Sequence, residues 1–384
     1  MDFALSEFQQ LLKEQAERFV EREYGFEQRR AIIATEPGFS AAHWQTFAEL
    51  GWLGLPFAED SGGFGGTLAD LAILFEVFGR GLVVEPYLAT VLGGLAVERG
   101  GSQAQKDAVL PGVMAGTHTL ALASTETGGR PGALHVATQA RKVTGGWQLS
   151  GRKAVVLHGA SADTLVVSAR SHGAHDAPGG IGLFLVPAKA YGVTRRGYAT
   201  VDGLRAAQIT LDRVELDAGA LLGEATGGFA LLDGLLDVAA VAGCAEALGC
   251  MQALIDRTAE YLRTREQFGR RIGDFQVLQH ALVDMYMAAE QARSITLAAA
   301  LKAGAAAGET GAEAEAERRR LVAAARHVCA EAGRLVGQTA VQLHGGIGVT
   351  DELDVAHYFK RLTMLPVWFA DNGQPLDRFQ AAAA

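Results

Sequence analysis

At 384 residues the chain exceeds one ordinary domain, so two or three folding units around a large core are expected. Hydrophobic residues make up 49% and charged residues 20%, which argues against disorder, and a net charge of −9 without a basic cluster argues against a nucleic-acid partner. The three cysteines, Cys244, Cys250 and Cys329, lack the paired spacing that zinc requires; no metal is expected, and they read as small buried hydrophobes of a protein in a reducing cytoplasm.

Residues 1–119 read as an N-terminal helical domain. Phe8, Leu11, Leu12, Ala16, Phe19 and Val20 recur at steps of three and four, which gives one apolar stripe. This opening segment has no basic stretch followed by an apolar one, so it is not expected to be a leader. The Gly-rich stretch Pro56–Gly66 interrupts the helical pattern as a loop before the apolar run Leu71–Val83. Over 120–226 the period changes to short β-rich runs separated by Gly, Pro and Asp, which predicts an antiparallel, barrel-like sheet domain. Helical periodicity returns over 227–384, with an Ala/Glu/Gly patch from Gly304 to Arg318 that reads as a solvated connection. The most apolar segment, LLDVAAVAGCAEALGCM, is broken by Asp237 and Glu246, so no membrane span is expected. The fold class is therefore α+β, helices then sheet then helices. There is no βαβ unit to make the GGFGG stretch at 62–66 a dinucleotide fingerprint.

Two C-terminal segments, TREQFGRRIGDFQVLQH at 264–280 and VQLHGGIGVT at 341–350, resemble paired signatures of the acyl-CoA dehydrogenases. WLGLP at 52–56, STE at 124–126 and HYFKRL at 357–362 fall in that family's order, so the resemblance spans nearly the whole chain. It implies a flavoprotein oxidoreductase of fatty-acid-type metabolism, using FAD to introduce an α,β double bond into an acyl-CoA thioester and passing electrons to an electron-transferring flavoprotein. The same resemblance implies that Arg265, Phe268, Gln342, Gly345 and Gly346 contact the flavin across a subunit interface, and that Thr125 belongs to the flavin cradle of the sheet domain. The chemistry agrees. An arginine fork suits a pyrophosphate, and glycines let backbone amides approach it closely.

Other positions depart from the family pattern. The tryptophan, isoleucine and threonine expected at the flavin face fall on Val155, Val156 and Leu157, which neither stack nor donate a hydrogen bond. The phosphate-binding serine region becomes ArgProGly at 130–132. Desaturation also needs a carboxylate close to the α-carbon. One family position for it falls on Ala370, beside Asp371, and the other falls near Ala239. Glu246, two helical turns beyond Ala239, is the only charge between Val238 and Met251. It reads either as a base tuned by burial or as the partner of an arginine at a helix crossing.

A lost in-chain flavin platform beside a retained cross-interface clamp points to the small subunit of a two-chain dehydrogenase, resembling that of pimeloyl-CoA dehydrogenase and of dehydrogenases acting on steroid side chains. The partner would be a homologous large subunit in a heterotetramer. The alternatives are a self-sufficient homotetramer with Glu246 or Asp371 as base, and a non-catalytic scaffold subunit.

Overall fold

The computed structural model describes residues 5–128, 134–304, 311–368 and 374–383. Six helices come first: α1 (Glu7–Glu23), α2 (Phe26–Ile33), α3 (Ala41–Glu49), α4 (Leu68–Gly81), α5 (Tyr87–Gly100) and α6 (Gln103–Met114). Capping boxes start three of them, Ser6 with Gln9, Thr67 with Asp70 and Ser102 with Gln105, each satisfying helix-end N–H groups that would otherwise lack acceptors. The stripe on α1 is narrower than its sequence suggests. Leu12, Ala16 and Phe19 are buried, while Phe8 and Leu11 are exposed.

The sheet domain contains β1 (Leu120–Ala123), β2 (Gln139–Val143), β3 (Gly146–Leu157), β4 (Thr164–Arg170), β5 (Ile181–Pro187), β6 (Val193–Ala199), β7 (Arg205–Asp217) and β8 (Leu221–Leu222). The strand order is β6-β7-β3-β2-β4-β5-β8, with β1 paired to β4. The sheet is mixed rather than purely antiparallel, because β1 and β2 both meet β4 in parallel. Its own core includes Leu149, Val167, Ile209 and Trp147, whose ring meets Phe184 edge-on at 5.3 Å. A register shift in β3 between Lys153 and Val156 leaves Val155 in the left-handed region, at φ 50°, and exposed.

The C-terminal part contains α7 (Gly228–Thr264), a small hairpin β9 (Glu266–Gln267) and β10 (Arg270–Arg271), α8 (Gln276–Gly304), α9 (Ala312–His344), α10 (Asp354–Met364) and α11 (Pro375–Ala383). The connection expected over 304–318 is shorter than its composition suggests. Residues 312–318 already belong to α9, and Arg318 turns inward to pair with the buried Asp237 of α7. Helix α7 is long and apolar enough to cross a membrane, yet 83% of its most apolar window is buried inside the protein; it is the central core helix. It touches α4 backbone to backbone. A Cβ on Gly79 would lie 2.0 Å from the Glu246 carbonyl oxygen, and one on Gly249 would lie 1.9 Å from that of Glu76. This contact fixes the rotation of α7 and so sets where Glu246 points.

Candidate active site and flavin clamp

Glu246 points into a buried ion network that draws on all three parts of the chain. Its carboxylate lies 3.3 Å from Nε of Arg361 on α10, and Nη1 of Arg361 lies 3.1 Å from Asp202 in the β6–β7 turn. Arg29 of α2 donates to the Asp202 carbonyl at 2.8 Å and to the Leu82 carbonyl at 2.9 Å, and its Nη1 is 3.2 Å from Nδ1 of His357. Burial raises the Glu246 carboxyl above its ordinary range, and Arg361 pulls it back. The observed partner is the helix-crossing arginine of the second sequence reading. The HYFKRL segment supplies it.

Around this network is a cavity of only about 30 Å³, lined by Leu157 and His158 of the sheet domain, Glu85, Glu246, Arg361 and Trp368. Leu157 is one of the positions at which the family resemblance places the flavin ring. Here Leu157 is buried, whereas Val155 of the same strand is exposed. Burial holds His158 down to about 3, keeping it neutral. Glu85 is a group that the sequence reading missed. It accepts from Tyr24 Oη and from the Ser40 N–H at 3.3 Å, faces Nδ1 of His43 at 3.4 Å, and is pushed up to about 7 by burial. Its sequence setting, ValValGluProTyr, carries no motif to mark it; only the packing of α1 and α3 against the segment before α5 does.

Beyond Leu88 and Trp368, which line both spaces, lies a larger chamber of about 210 Å³. Ala239, the position near which one family base falls, lines this chamber, whereas Glu246 lines the smaller cavity. Although two helical turns separate them, the two residues serve different spaces. Asp371 and Ala370 lie outside the described residues.

Thr125 follows β1 and accepts the Ala154 N–H at 2.8 Å through its carbonyl. Beside it, Glu126 and Lys153 form a buried ion pair at 2.5 Å, and Glu126 also accepts the Ala137 N–H at 2.7 Å. This edge of the sheet is held by its own charges. Positions 130–132 lie outside the described residues.

The outer end of the C-terminal bundle is arranged differently. Arg265 caps α7, and Phe268, at φ 55° in the hairpin turn, is 90% exposed. Arg270 and Arg271 on the hairpin are exposed, with the Arg270 guanidinium 3.9 Å over the Phe275 ring. Gln342, Gly345 and Gly346 are exposed at the end of α9, and a Cβ on either glycine would meet nothing within 4 Å. Gly345 adopts φ 67°, a conformation that L residues rarely take. The five clamp residues predicted from sequence are thus all on the surface. They fit an FAD presented from outside the chain: guanidinium for pyrophosphate, a phenyl face for stacking, and open backbone for close approach. The sheet-side residues Val155, Val156 and Leu157 do not fit the ring. Among the described residues there is no His/Cys/Asp/Glu cluster that would hold a metal, and the three cysteines are buried and unbridged.

Three family models cover the chain: "Acyl-CoA dehydrogenase, N-terminal domain" at residues 6–117, the middle domain at 121–217 and the C-terminal domain at 226–369. The acyl-CoA dehydrogenase FadE12 of Mycobacterium tuberculosis is 30% identical over 321 residues, covering 82% of this chain and 80% of the relative. Among solved structures, a variant of the Tcur3481-Tcur3483 steroid acyl-CoA dehydrogenase is 31% identical at TM-score 0.84, covering 98% of each chain. The ChsE4-ChsE5 complex from Mycobacterium tuberculosis is 28% identical at TM-score 0.85, covering 100% of this chain and 98% of that one. The chain therefore belongs to the acyl-CoA dehydrogenase family, FAD-dependent oxidoreductases that act on acyl-CoA.

Proposed function

We propose that this chain is the accessory subunit of a two-chain acyl-CoA dehydrogenase, clamping FAD that is seated in a homologous partner's sheet domain. The observation that carries this reading is the contrast between a flavin-face cavity of about 30 Å³ and a fully surface-exposed clamp at Arg265, Phe268, Gln342, Gly345 and Gly346. A cavity of that size admits a water molecule or two but no acyl group. A second copy of this chain would present the same filled face, so the partner is a chain of different sequence. Two-protein names among the similar structures, Tcur3481-Tcur3483 and ChsE4-ChsE5, support the arrangement.

FAD, when bound, supplies the hydride acceptor for desaturation of the acyl thioester and hands electrons on to an electron-transferring flavoprotein. The residues of this chain bind and orient it. Arg265 would neutralise the pyrophosphate, Phe268 would cover the adenosine side, Gln342 would hydrogen-bond the cofactor, and Gly345 and Gly346 would admit it against the backbone. Glu246 serves in this reading as a structural counter-ion to Arg361, and the partner supplies the base.

The test is the visible spectrum of the chain purified alone and again after co-expression with a homologous large subunit, with flavin counted per chain. A colourless chain alone and about half a flavin per chain in the complex are expected. One FAD per chain, bleached by an acyl-CoA without a partner, would establish the self-sufficient homotetramer instead, with Glu246 and Asp371 then the residues to mutate.

A further inference from the structure

The sheet domain carries a groove that neither the flavin-face cavity nor the clamp accounts for. It lies between β2 and the turn that follows β4, has a volume of about 500 Å³, and has none of its described lining residues in common with the cavity around Glu246. The sheet opens here. β2 is paired to β3 from Gln139 to Val143, but to β4 only where Gln139 meets Arg170. Beyond that bridge the two chains part. Because the backbone groups of a paired strand alternate sides, half of those on the outer stretch of β2 face away from β3, with no strand beside them among the described residues.

The opposite wall is held rigidly. Arg170, only 5% exposed, donates its N–H groups to five carbonyls: Nε to Val136 at 3.0 Å, Nη1 to His172 at 3.3 Å and Gly179 at 2.6 Å, and Nη2 to His175 at 3.2 Å and Ala177 at 2.7 Å. That arginine fixes the turn and has no donor to spare, so the wall presents the exposed His172 and His175 instead. On the β2 side stand Arg141 and Lys142. Both are exposed, neither has an ion-pair partner among the described residues, and the Lys142 ammonium lies 5.9 Å from the centre of the Trp147 ring. Among the described residues no aspartate or glutamate lines the groove, although the chain has 43 of them and a net charge of −9. A cationic slot beside an open strand edge, on an otherwise acidic protein, suits an extended backbone that completes the ladder and carries negative side chains.

We infer that the open edge of β2 is a docking site for an extended acidic segment of another protein, which adds a strand beside residues 140–143 and meets Arg141, Lys142, His172 and His175. Backbone pairing supplies the affinity and the cations select the partner. Charged side chains on an edge strand also deter self-pairing, a role that needs no partner at all. The groove is separate from the flavin contacts, so it stands or falls apart from the two-chain reading.

The test is titration of the full chain with a fluorescein-labelled, acetylated six-residue peptide alternating Glu and Val, read by polarisation. Saturable binding is expected, weakening as salt rises, and the same peptide with Lys in place of Glu is expected not to bind. N-methylation of alternate residues, tried in both registers, removes in one of them the N–H groups that pair with β2, and about tenfold weaker binding is expected there. Arg141→Glu combined with Lys142→Glu is expected to abolish binding. Arg141→Gln combined with Lys142→Gln is expected to weaken it about tenfold while the denaturation midpoint stays near wild type, since both side chains are exposed. Binding that survives charge reversal would leave the cations only the role of deterring self-pairing and would overturn the assignment. Equal binding of both N-methylated peptides, or no binding at millimolar peptide, would do the same. Displacement of the peptide by an equal concentration of inorganic pyrophosphate would also overturn it, marking the groove as a small-anion site.

Discussion

Around Leu157 and Trp368, side chains from three parts of the chain close on one another, whereas around Arg265 and Phe268 they stand out from the surface. Both regions correspond to flavin-contacting positions in the family resemblance, and both are built on the same backbone. In the inner region Arg361 lies between two buried carboxylates, Glu246 and Asp202, where the resemblance places groups that receive a ligand. At the outer region, charge and aromatic surface remain exposed, at a desolvation cost that falls due only on binding. On the proposed reading, one fold keeps one half of a shared site and closes the other without altering its architecture.

The strongest way to break this comparison is to unpair the inner network. Arg361→Met leaves Glu246 and Asp202 buried without their cation, and such an unpairing costs about 3–5 kcal/mol. A large fall in the denaturation midpoint of the isolated chain is expected. If stability stays near wild type, the network is not what closes the cleft. On the outer side, Arg265→Ala is expected to leave the stability of the exposed region unchanged. It should weaken FAD retention in the assembled complex by about ten- to a hundredfold, the loss of one charge-assisted hydrogen bond. Flavin retained at wild-type affinity would remove the arginine from the clamp.

The pH dependence of stability sharpens the same contrast, because two strongly shifted groups, Glu85 and His158, line the inner cavity. Glu85 is raised from 4.5 to about 7, so the folded chain holds this proton more tightly than the unfolded chain does. Its contribution is fullest below pH about 4.5 and is lost as the pH rises through about 7, by up to roughly 3 kcal/mol. His158 has the opposite sign: held down from 6.5 to about 3, it favours the fold above pH 6.5 and loses that contribution as the pH falls towards 3. Denaturant titrations of Glu85→Gln between about pH 5 and pH 8 should show a smaller fall in stability towards high pH than wild type. Identical slopes would mean that Glu85 is not the group responsible. The smallest effect is expected from Gly346→Ala. Its methyl group meets nothing, so stability should change by less than about 0.5 kcal/mol, while crowding at the clamp reduces flavin occupancy.

The sequence made the succession of helices, sheet and helices legible because the apolar period changes near 120 and again near 227. The segments on which the proposed clamp rests stood out because they form two contiguous motifs, at 264–280 and 341–350. The closed cleft was only half legible. Val155, Val156 and Leu157 announced a missing ring platform, but what fills the space comes from residues far apart in sequence. Arg29, Asp202 and Arg361 each look like an ordinary surface charge until packing brings them together. Glu246 shows the same limit. Its isolation in an apolar helix signalled that a partner was needed, yet helical spacing from Ala239 suggested a shared face where the fold gives the two residues different cavities. The register break in β3 and the parallel pairing of β1 and β2 with β4 depend on strand neighbours that composition does not specify.

The glycine contact between α4 and α7 has a consequence for how this chain could be changed. With Gly79 and Gly249 each against the opposing carbonyl, the two helices meet backbone to backbone, and a side chain at either position would force them apart. On the proposed reading, an open flavin pocket would be regained through individual side chains, Trp368, Arg361 and Leu157 among them, with this helix contact kept. Specialisation here is written on top of the scaffold, which makes it a property to be transplanted between relatives a few residues at a time.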